Sequence, residues 1–221
     1  MTENEFKKKI NSIFINIDTN FFSNIEKYKM VLQAYNKKMN LTRLEKEEKI
    51  YGQYFYESIL PFAQIDFNKY KNILDIGSGS GIPGIVLKLL YPNNISLTVI
   101  EANKKKADFL KFLANELNIM ITLLNKRAEN IQNSEREKYD LVTSRAVAEL
   151  KVILEISAPY CKINGLIVEP KGKKVKIELN NAANMIDQLN LILLPKTNLI
   201  FQKNKKNDLK FPRKWTEIIK N

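Results

Sequence analysis

At 221 residues with 44% hydrophobic side chains, the chain is long enough for one sizeable core plus an appendage, and no run of 18 apolar residues reads as a membrane span. Histidine is absent, which excludes a Ser-His-Asp triad, an imidazole general base and every His-based metal site; the single Cys161 excludes an internal disulfide and fits a reducing cytoplasm. The net charge of +12 is uneven, with 12 basic against 4 acidic side chains over residues 171–221 and 11 against 9 over residues 1–70, so the C-terminal quarter points to a polyanionic partner.

The N-terminus, Met1 to Asn11, is rich in Lys and Glu and has no apolar core, so it does not read as a signal peptide. The first 70 residues read as helical. Phe21, Ile25, Tyr28, Leu32 and Tyr35 recur at helical spacing and predict one buried face. Asn40-Leu41-Thr42 breaks that pattern, and a second helix is predicted over 45–60, ending at Pro61. From residue 71 the pattern changes to strands alternating with helices. Strands are predicted over 72–76, 96–101, 120–124, 139–144 and 166–169, each short and apolar as in a buried parallel sheet. Helices fall between them, one with Phe109, Leu113 and Leu117 on a face, one with Leu150, Ile153, Leu154 and Ser157, and one over 176–189. Two apolar segments, 190–194 and 198–202, flank Pro195-Lys196 and predict a final strand pair. The expected fold is α/β: a mostly parallel, Rossmann-like sheet with an antiparallel edge strand, covering 71–221, with a helical region over 1–70 packed on it.

The stretch Asp75-Ile76-Gly77-Ser78-Gly79-Ser80-Gly81-Ile82-Pro83-Gly84 takes the first strand straight into a glycine-rich turn. A turn of this kind lets backbone N–H groups approach a nucleoside ligand closely. Two ligands compete. Gly79, Gly81 and Gly84 fit the dinucleotide fingerprint, with Glu101 downstream as the ribose acid. Asp75, two residues before Gly77, instead resembles motif I of the class I S-adenosylmethionine methyltransferases. An acidic strand end suits a sulfonium and an amino group better than it suits a pyrophosphate. A tight turn with no ligand is the plain alternative.

Ligands of such sheets lie beyond the carboxyl ends of the strands. Candidate cofactor residues are therefore Asp75, Gly77, Ser78, Gly79 and Gly81 at the first strand end, and Glu101 at the second, placed to accept from two ribose hydroxyls. The turn Asn125-Lys126-Arg127-Ala128-Glu129 follows the third strand, with Ala128 and Glu129 placed to hold the adenine. Arg145 in Ser144-Arg145-Ala146 and Lys171 in Glu169-Pro170-Lys171-Gly172 face the transferred methyl group, and Arg145 is a candidate cofactor contact as well. Arginine is rare here, five residues against 31 lysines, so each is expected to do what lysine cannot, such as bidentate binding of phosphate or carboxylate. Lys203, Lys205, Lys206, Lys210, Arg213 and Lys214 form the densest basic stretch and are candidate contacts to an RNA backbone; a merely solvated face is the alternative.

With these residues aligned, nearly the whole chain resembles the bacterial 16S rRNA guanine-N7 methyltransferases, the glucose-inhibited division protein B family. The resemblance rests on Asn36-Lys37-Lys38-Met39-Asn40-Leu41-Thr42, the glycine loop, Arg127-Ala128-Glu129, Ser144-Arg145-Ala146 and Lys171-Gly172. Two departures stand out. Tyr54 replaces the histidine of the family's His-x-x-Asp-Ser element, whose acid is here Glu57. The family's Pro-Arg-Lys-Gly-Thr-Pro tail is here Pro212-Arg213-Lys214-Trp215-Thr216.

The resemblance implies transfer of a methyl group from S-adenosylmethionine to N7 of a guanine in the 530-loop region of 16S rRNA, by a cytoplasmic monomer needing no metal. The partner is 16S rRNA or the small ribosomal subunit. N7 carries an in-plane lone pair and no proton, so the missing histidine is consistent with that chemistry. Arg145 and Lys171 are then the catalytic candidates, holding the guanine O6 or a neighbouring phosphate. A nicotinamide oxidoreductase, a methyltransferase of other substrates and a non-catalytic RNA-binding module remain open at this point.

Overall fold

The computed structural model describes residues 1–39, 46–170, 175–195 and 199–220. Thr2 opens helix α1 (Glu3–Ile13) with a reciprocal cap. Its hydroxyl accepts from the Glu5 N–H (3.3 Å), and the Glu5 carboxylate accepts from the Thr2 N–H (2.7 Å). Helix α2 (Phe21–Met39) carries the predicted stripe: Phe21, Ile25, Tyr28 and Leu32 are buried, and Tyr35 is half-buried against Phe109 and Phe112. The break at Asn40-Leu41-Thr42 lies outside the described residues.

The second predicted helix is a composite path. It comprises α3 (Glu47–Lys49), a π turn (Ile50–Tyr56), α4 (Glu57–Ile59) and a 3-10 turn (Leu60–Phe62). The path continues through Pro61 instead of stopping there, because a proline in the first positions of a turn leaves no N–H to satisfy.

Seven strands follow: β1 (Asn72–Ile76), β2 (Ser96–Ile100), β3 (Thr122–Leu124), β4 (Tyr139–Ser144), β5 (Cys161–Val168), β6 (Leu191–Leu193) and β7 (Ile200–Lys203). Their order across the sheet is β3-β2-β1-β4-β5-β7-β6. The first five are parallel. β7 is antiparallel to both β5 and β6, so the reversed strand sits one place in from the edge. β5 starts well before the predicted Leu166; its register with β4 shifts after Cys161, where Asn164 takes a left-handed φ of 64°.

Helices α5 (Gly84–Leu90), α6 (Lys104–Glu116), α7 (Leu150–Ser157), α8 (Val175–Gln188) and α9 (Trp215–Ile218) complete the fold. Alternate strand residues bury on opposite faces, as period two requires. Ile73, Leu141, Leu166 and Val168 pack in one cluster with α1, α2, the π turn, α5 and α6. Leu74, Val142 and Ile167 pack in the other with α7, α8 and α9. The helical region before residue 71 thus shares a core with the sheet, and it reaches the loops at the carboxyl ends of β1 and β4.

Candidate active site

The glycine loop is pinned to its neighbour strand at once. The N–H groups of Gly77 and Ser78 both donate to the Ile100 carbonyl (2.7 and 3.3 Å). Gly77 has φ +66°, and a Cβ there would lie 2.6 Å from Val147 Cγ2; Gly81 has φ +105°, and a Cβ there would lie 2.5 Å from the Tyr28 hydroxyl. Only glycine meets the conformation and the crowding together.

Asp75 is fully buried beneath this loop. Its Oδ2 accepts from Ser78 Oγ (2.6 Å) and from the Gly84 N–H (3.0 Å), whereas its Oδ1 is buried with no partner among the described residues. Burial pushes the carboxyl up to about 7 against the pull of those two bonds, and the charge of Glu101 adds to the rise. Glu101 lies on the other side of the loop. Its Oε2 accepts from the Gly79 N–H (2.9 Å) and its Oε1 from the Asn103 N–H (2.8 Å).

This arrangement decides between the two ligand classes. A dinucleotide pyrophosphate binds to loop N–H groups and the first N–H groups of the following helix. Here carboxylates already occupy the Gly79 N–H and the Gly84 N–H that opens α5. Phosphate is repelled and positive charge is favoured, and one buried carboxylate oxygen still lacks a donor. The residues fit a sulfonium nucleoside better than a dinucleotide.

Two side chains that the motif gives no hint of hold the loop from the helical region. Tyr28 of α2 and Tyr54 of the π turn both donate to the Ser80 carbonyl (2.5 and 3.0 Å), with their hydroxyls 3.2 Å apart. Burial raises both phenol pKa values, so both stay neutral donors. A hydroxyl on the buried helical stripe at Tyr28, and the departure from histidine at Tyr54, were the available sequence signals.

The third strand end is tightly tied as well. The Asn125 amide donates to the carbonyls of Glu101 (2.7 Å) and Ala102 (3.3 Å), and the Ala128 carbonyl accepts from Tyr160 Oη (2.7 Å). Glu129 pairs with Arg127 (2.7 Å), whose guanidinium lies over the Trp215 ring at 4.6 Å. Trp215 thus supplies a platform for the Arg127-Ala128-Glu129 turn.

Beyond β4 and β5 a cleft of about 490 Å³ opens, lined by Glu57, Arg145, Ala146, Val147, Pro170 and Glu178. Val147 joins it to the glycine loop through its contact with Gly77. Below it the buried Glu169 carboxylate accepts from Ser144 Oγ (2.6 Å). Arg145 is half-buried; it donates to the carbonyls of Tyr54 (3.1 Å) and Gln53 (2.6 Å) at the π turn. Burial lowers its pKa, and the charge of Glu57 acts in the opposite direction. Lys171 and Gly172 lie outside the described residues, directly after Pro170 in the cleft wall.

The basic stretch divides. Lys203 is not a surface cation. It is fully buried, and its three N–H donors go to Glu137 Oε1 (3.1 Å) and the carbonyls of Ala158 (3.0 Å) and Cys161 (2.9 Å), leaving none for a phosphate. Arg213 is also committed: Nε and Nη2 grip the two oxygens of the buried Glu155 (2.9 and 2.7 Å). Lys205, Lys206, Lys210 and Lys214 are exposed. Among the described residues no group of His, Cys, Asp and Glu is placed to hold a metal ion, and no helix is long and apolar enough to cross a membrane.

Comparison with known proteins agrees with this geometry. The model of the GidB family, described as rRNA small subunit methyltransferase G, matches residues 22–212. The chain is 41% identical to the ribosomal RNA small subunit methyltransferase G of Ureaplasma parvum serovar 3, covering 100% of this chain and 99% of that one. It is 45% identical to the protein of the same name from Malacoplasma penetrans, over 94% of this chain and 93% of that one. Among solved structures, the ribosomal protein L11 methylase of Lactobacillus delbrueckii subsp. bulgaricus superposes with a TM-score of 0.53 over 73% of this chain and 81% of that one. At 13% identity that likeness concerns the methyltransferase fold alone. A loop closed to phosphate by Asp75 and Glu101, on this sheet and with relatives matching end to end, leaves one assignment: the chain belongs to the GidB family of small-subunit rRNA methyltransferases.

Proposed function

We propose that the protein transfers the methyl group of S-adenosylmethionine to N7 of a guanine in the 530-loop region of 16S rRNA. The observation that carries this reading is the convergence of the two acids, Asp75 and Glu101, on the glycine loop, with Arg145 across Val147 in the adjoining cleft. When bound, S-adenosylmethionine supplies an electrophilic methyl group on a cationic sulfur. Asp75, Gly77, Ser78, Gly79, Gly81 and Glu101 hold it, with the Ala128-Glu129 turn beside its base.

What the protein contributes at the acceptor is positioning. N7 attacks with a lone pair that bears no proton, so no side chain has to remove one, consistent with a chain that contains no histidine. Alignment of the two reactants lowers the barrier, and fixed dipoles and charges respond to the positive charge that develops on guanine. Arg145 is held rigid by the Gln53 and Tyr54 carbonyls and presents its remaining N–H groups to O6 or a phosphate. Contact at N7 itself would block the attack. Lys171 is the second candidate for the guanine or its neighbouring phosphate. Lys205, Lys206, Lys210 and Lys214 bear on the RNA backbone. We read the enzyme as a cytoplasmic monomer.

Mass mapping of 16S rRNA from cells with and without this protein tests the reading. One 7-methylguanosine in the 530-loop region should depend on the protein. An unchanged map, or calorimetry in which NAD(H) binds and S-adenosylmethionine does not, would overturn it.

A further inference from the structure

The wall of the cleft poses an electrostatic puzzle. A chain of net charge +12 places two carboxylates, Glu57 and Glu178, at the opening that an RNA nucleotide must enter. Glu178 has a structural role, accepting from the Leu150 N–H (3.0 Å) at the start of α7. Glu57 does not. It is exposed, and its carboxylate makes no hydrogen bond or ion pair among the described residues, although its charge is felt at Arg145. A carboxylate in this position repels every phosphate of the substrate. It is favourable only toward a group that donates hydrogen bonds.

Guanine has such a group on one edge. N1–H and the N2 amino group are two parallel donors, the match for the two oxygens of one carboxylate. O6 next to them is an acceptor, the match for a guanidinium. Arg145 uses two of its five N–H donors on the Gln53 and Tyr54 carbonyls and keeps the others for a ligand. The cleft, at about 490 Å³, admits a purine.

We infer that Glu57 is the specificity-determining residue of the reaction, its carboxylate reading N1–H and N2–H of the target guanine while Arg145 takes O6. This rests on the proposed methyl transfer to guanine N7. The edge that is read lies across the ring from N7, so the attacking atom is left open toward the glycine loop. As N7 forms its bond to the methyl carbon, the carbon–sulfur bond breaks and its electron pair stays on sulfur, leaving neutral S-adenosylhomocysteine; the guanine ring takes the positive charge, N1–H becomes a stronger donor, and no proton leaves it. The bond to Glu57 therefore tightens in the transition state, where it accelerates the reaction instead of only binding substrate. Adenine presents an acceptor at N1 and no amino group at C2, so it meets Glu57 with repulsion.

The test uses the whole protein and 16S rRNA carrying either guanosine or inosine at the target; inosine keeps N7, O6 and N1–H but lacks the 2-amino group. The wild-type protein should prefer guanosine by about tenfold in kcat/KM, the worth of one lost base contact. In Glu57→Ala the preference should fall to within about twofold, with the affinity for S-adenosylmethionine by calorimetry unchanged. Glu57→Asp should restore most of the preference. An Ala variant that keeps the wild-type ratio, or that loses activity equally on both RNAs, would overturn the assignment, as would a wild-type protein indifferent to the amino group. A wild-type protein that methylates neither RNA, or methylates an atom other than N7, would instead bring down the reaction on which the inference stands.

Discussion

Asp75 is the residue whose chemistry has the most consequence. Burial lifts its carboxyl from an ordinary 3.8 to about 7, so between those values the folded protein holds a proton that the unfolded chain releases. Stability therefore declines as pH rises through that window, the reverse of a salt-bridged carboxylate. A cationic ligand favours the ionised form and must expel that proton below pH 7. The affinity for S-adenosylmethionine should rise with pH by up to about tenfold per unit below 7 and level off above it. Asp75→Asn should flatten the curve measured by calorimetry from pH 6 to 8; a wild-type curve with no slope would remove Asp75 from cation binding. Arg145 gives the complementary result. Arg145→Ala should reduce methyl transfer at least 100-fold, about 3 kcal/mol for a lost charge-assisted contact at a reacting base, while S-adenosylmethionine binds within a few-fold of normal. A large loss of cofactor affinity instead would place Arg145 in the wrong half of the site. Asp75, Gly77 and Glu101 were legible because one contiguous motif and one strand end carry them. Lys203 and Arg213 were not, since nothing local tells a lysine on an exposed strand from one whose ammonium is swallowed by Glu137 and two carbonyls. The scarcity of arginine was the better guide. Arg127 and Arg213 each hold a carboxylate, and Arg136 and Arg145 each bridge two backbone carbonyls.

At the scale of elements, α2 and the π turn are parts of the site rather than an appendage to it. Each gives one tyrosine hydroxyl to the Ser80 carbonyl, and the π turn also gives the carbonyls that fix Arg145. Tyr54 thus touches both halves of the reaction site, through its hydroxyl on one side and its backbone on the other. Tyr28→Phe and Tyr54→Phe should each cost about 1 kcal/mol of stability, the usual net worth of a buried hydrogen bond, and each should weaken S-adenosylmethionine about fivefold. Removing both hydroxyls strips Ser80 of two donors at once, so the double variant should cost more than the sum of the singles. Denaturant melts and calorimetry report both quantities; additive melts with unchanged cofactor affinity would reduce the tyrosines to packing. The amphipathic stripe of α2 and the alternation of strands and helices were legible because period and burial coincide there. The π turn was not, because its apolar residues fit an ordinary helix equally well. The early start of β5 was hidden too, since the turn at Asn164-Gly165 interrupts its pattern from within.

For the molecule as a whole, the position of the basic surface matters more than its total. β7 runs against β5, and Lys203 at its end bonds to the carbonyl of Cys161, where β5 begins. Lys205 and Lys206 therefore emerge at the end of the sheet opposite the glycine loop, about 20 Å away for strands of this length. The chain then returns along the outside of α7. Arg136 holds the carbonyls of Leu209 and Phe211, Glu155 holds Arg213, and Trp215 reaches Arg127 at the ligand end. Lys210 and Lys214 are carried along this strap, so the four exposed lysines trace a line down one side of the molecule instead of ringing the cleft. A line of that kind suits an RNA backbone lying along the protein while one base enters the site. Reversing each of Lys205, Lys206, Lys210 and Lys214 to Glu should weaken 16S rRNA binding and lessen the dependence of log affinity on log salt by about 0.7 per lost phosphate contact. The rate of transfer at saturating RNA should stay near the wild-type value, because none of the four borders the cleft. Filter binding across a salt series separates the outcomes: a smaller slope with kcat preserved places the RNA along this side, and an unchanged slope leaves the lysines as solvated charge. Lys203→Glu should behave differently from all four, failing in thermal stability before any effect on RNA is seen, because it sets a second carboxylate against Glu137 and turns acceptors toward the carbonyls of Ala158 and Cys161.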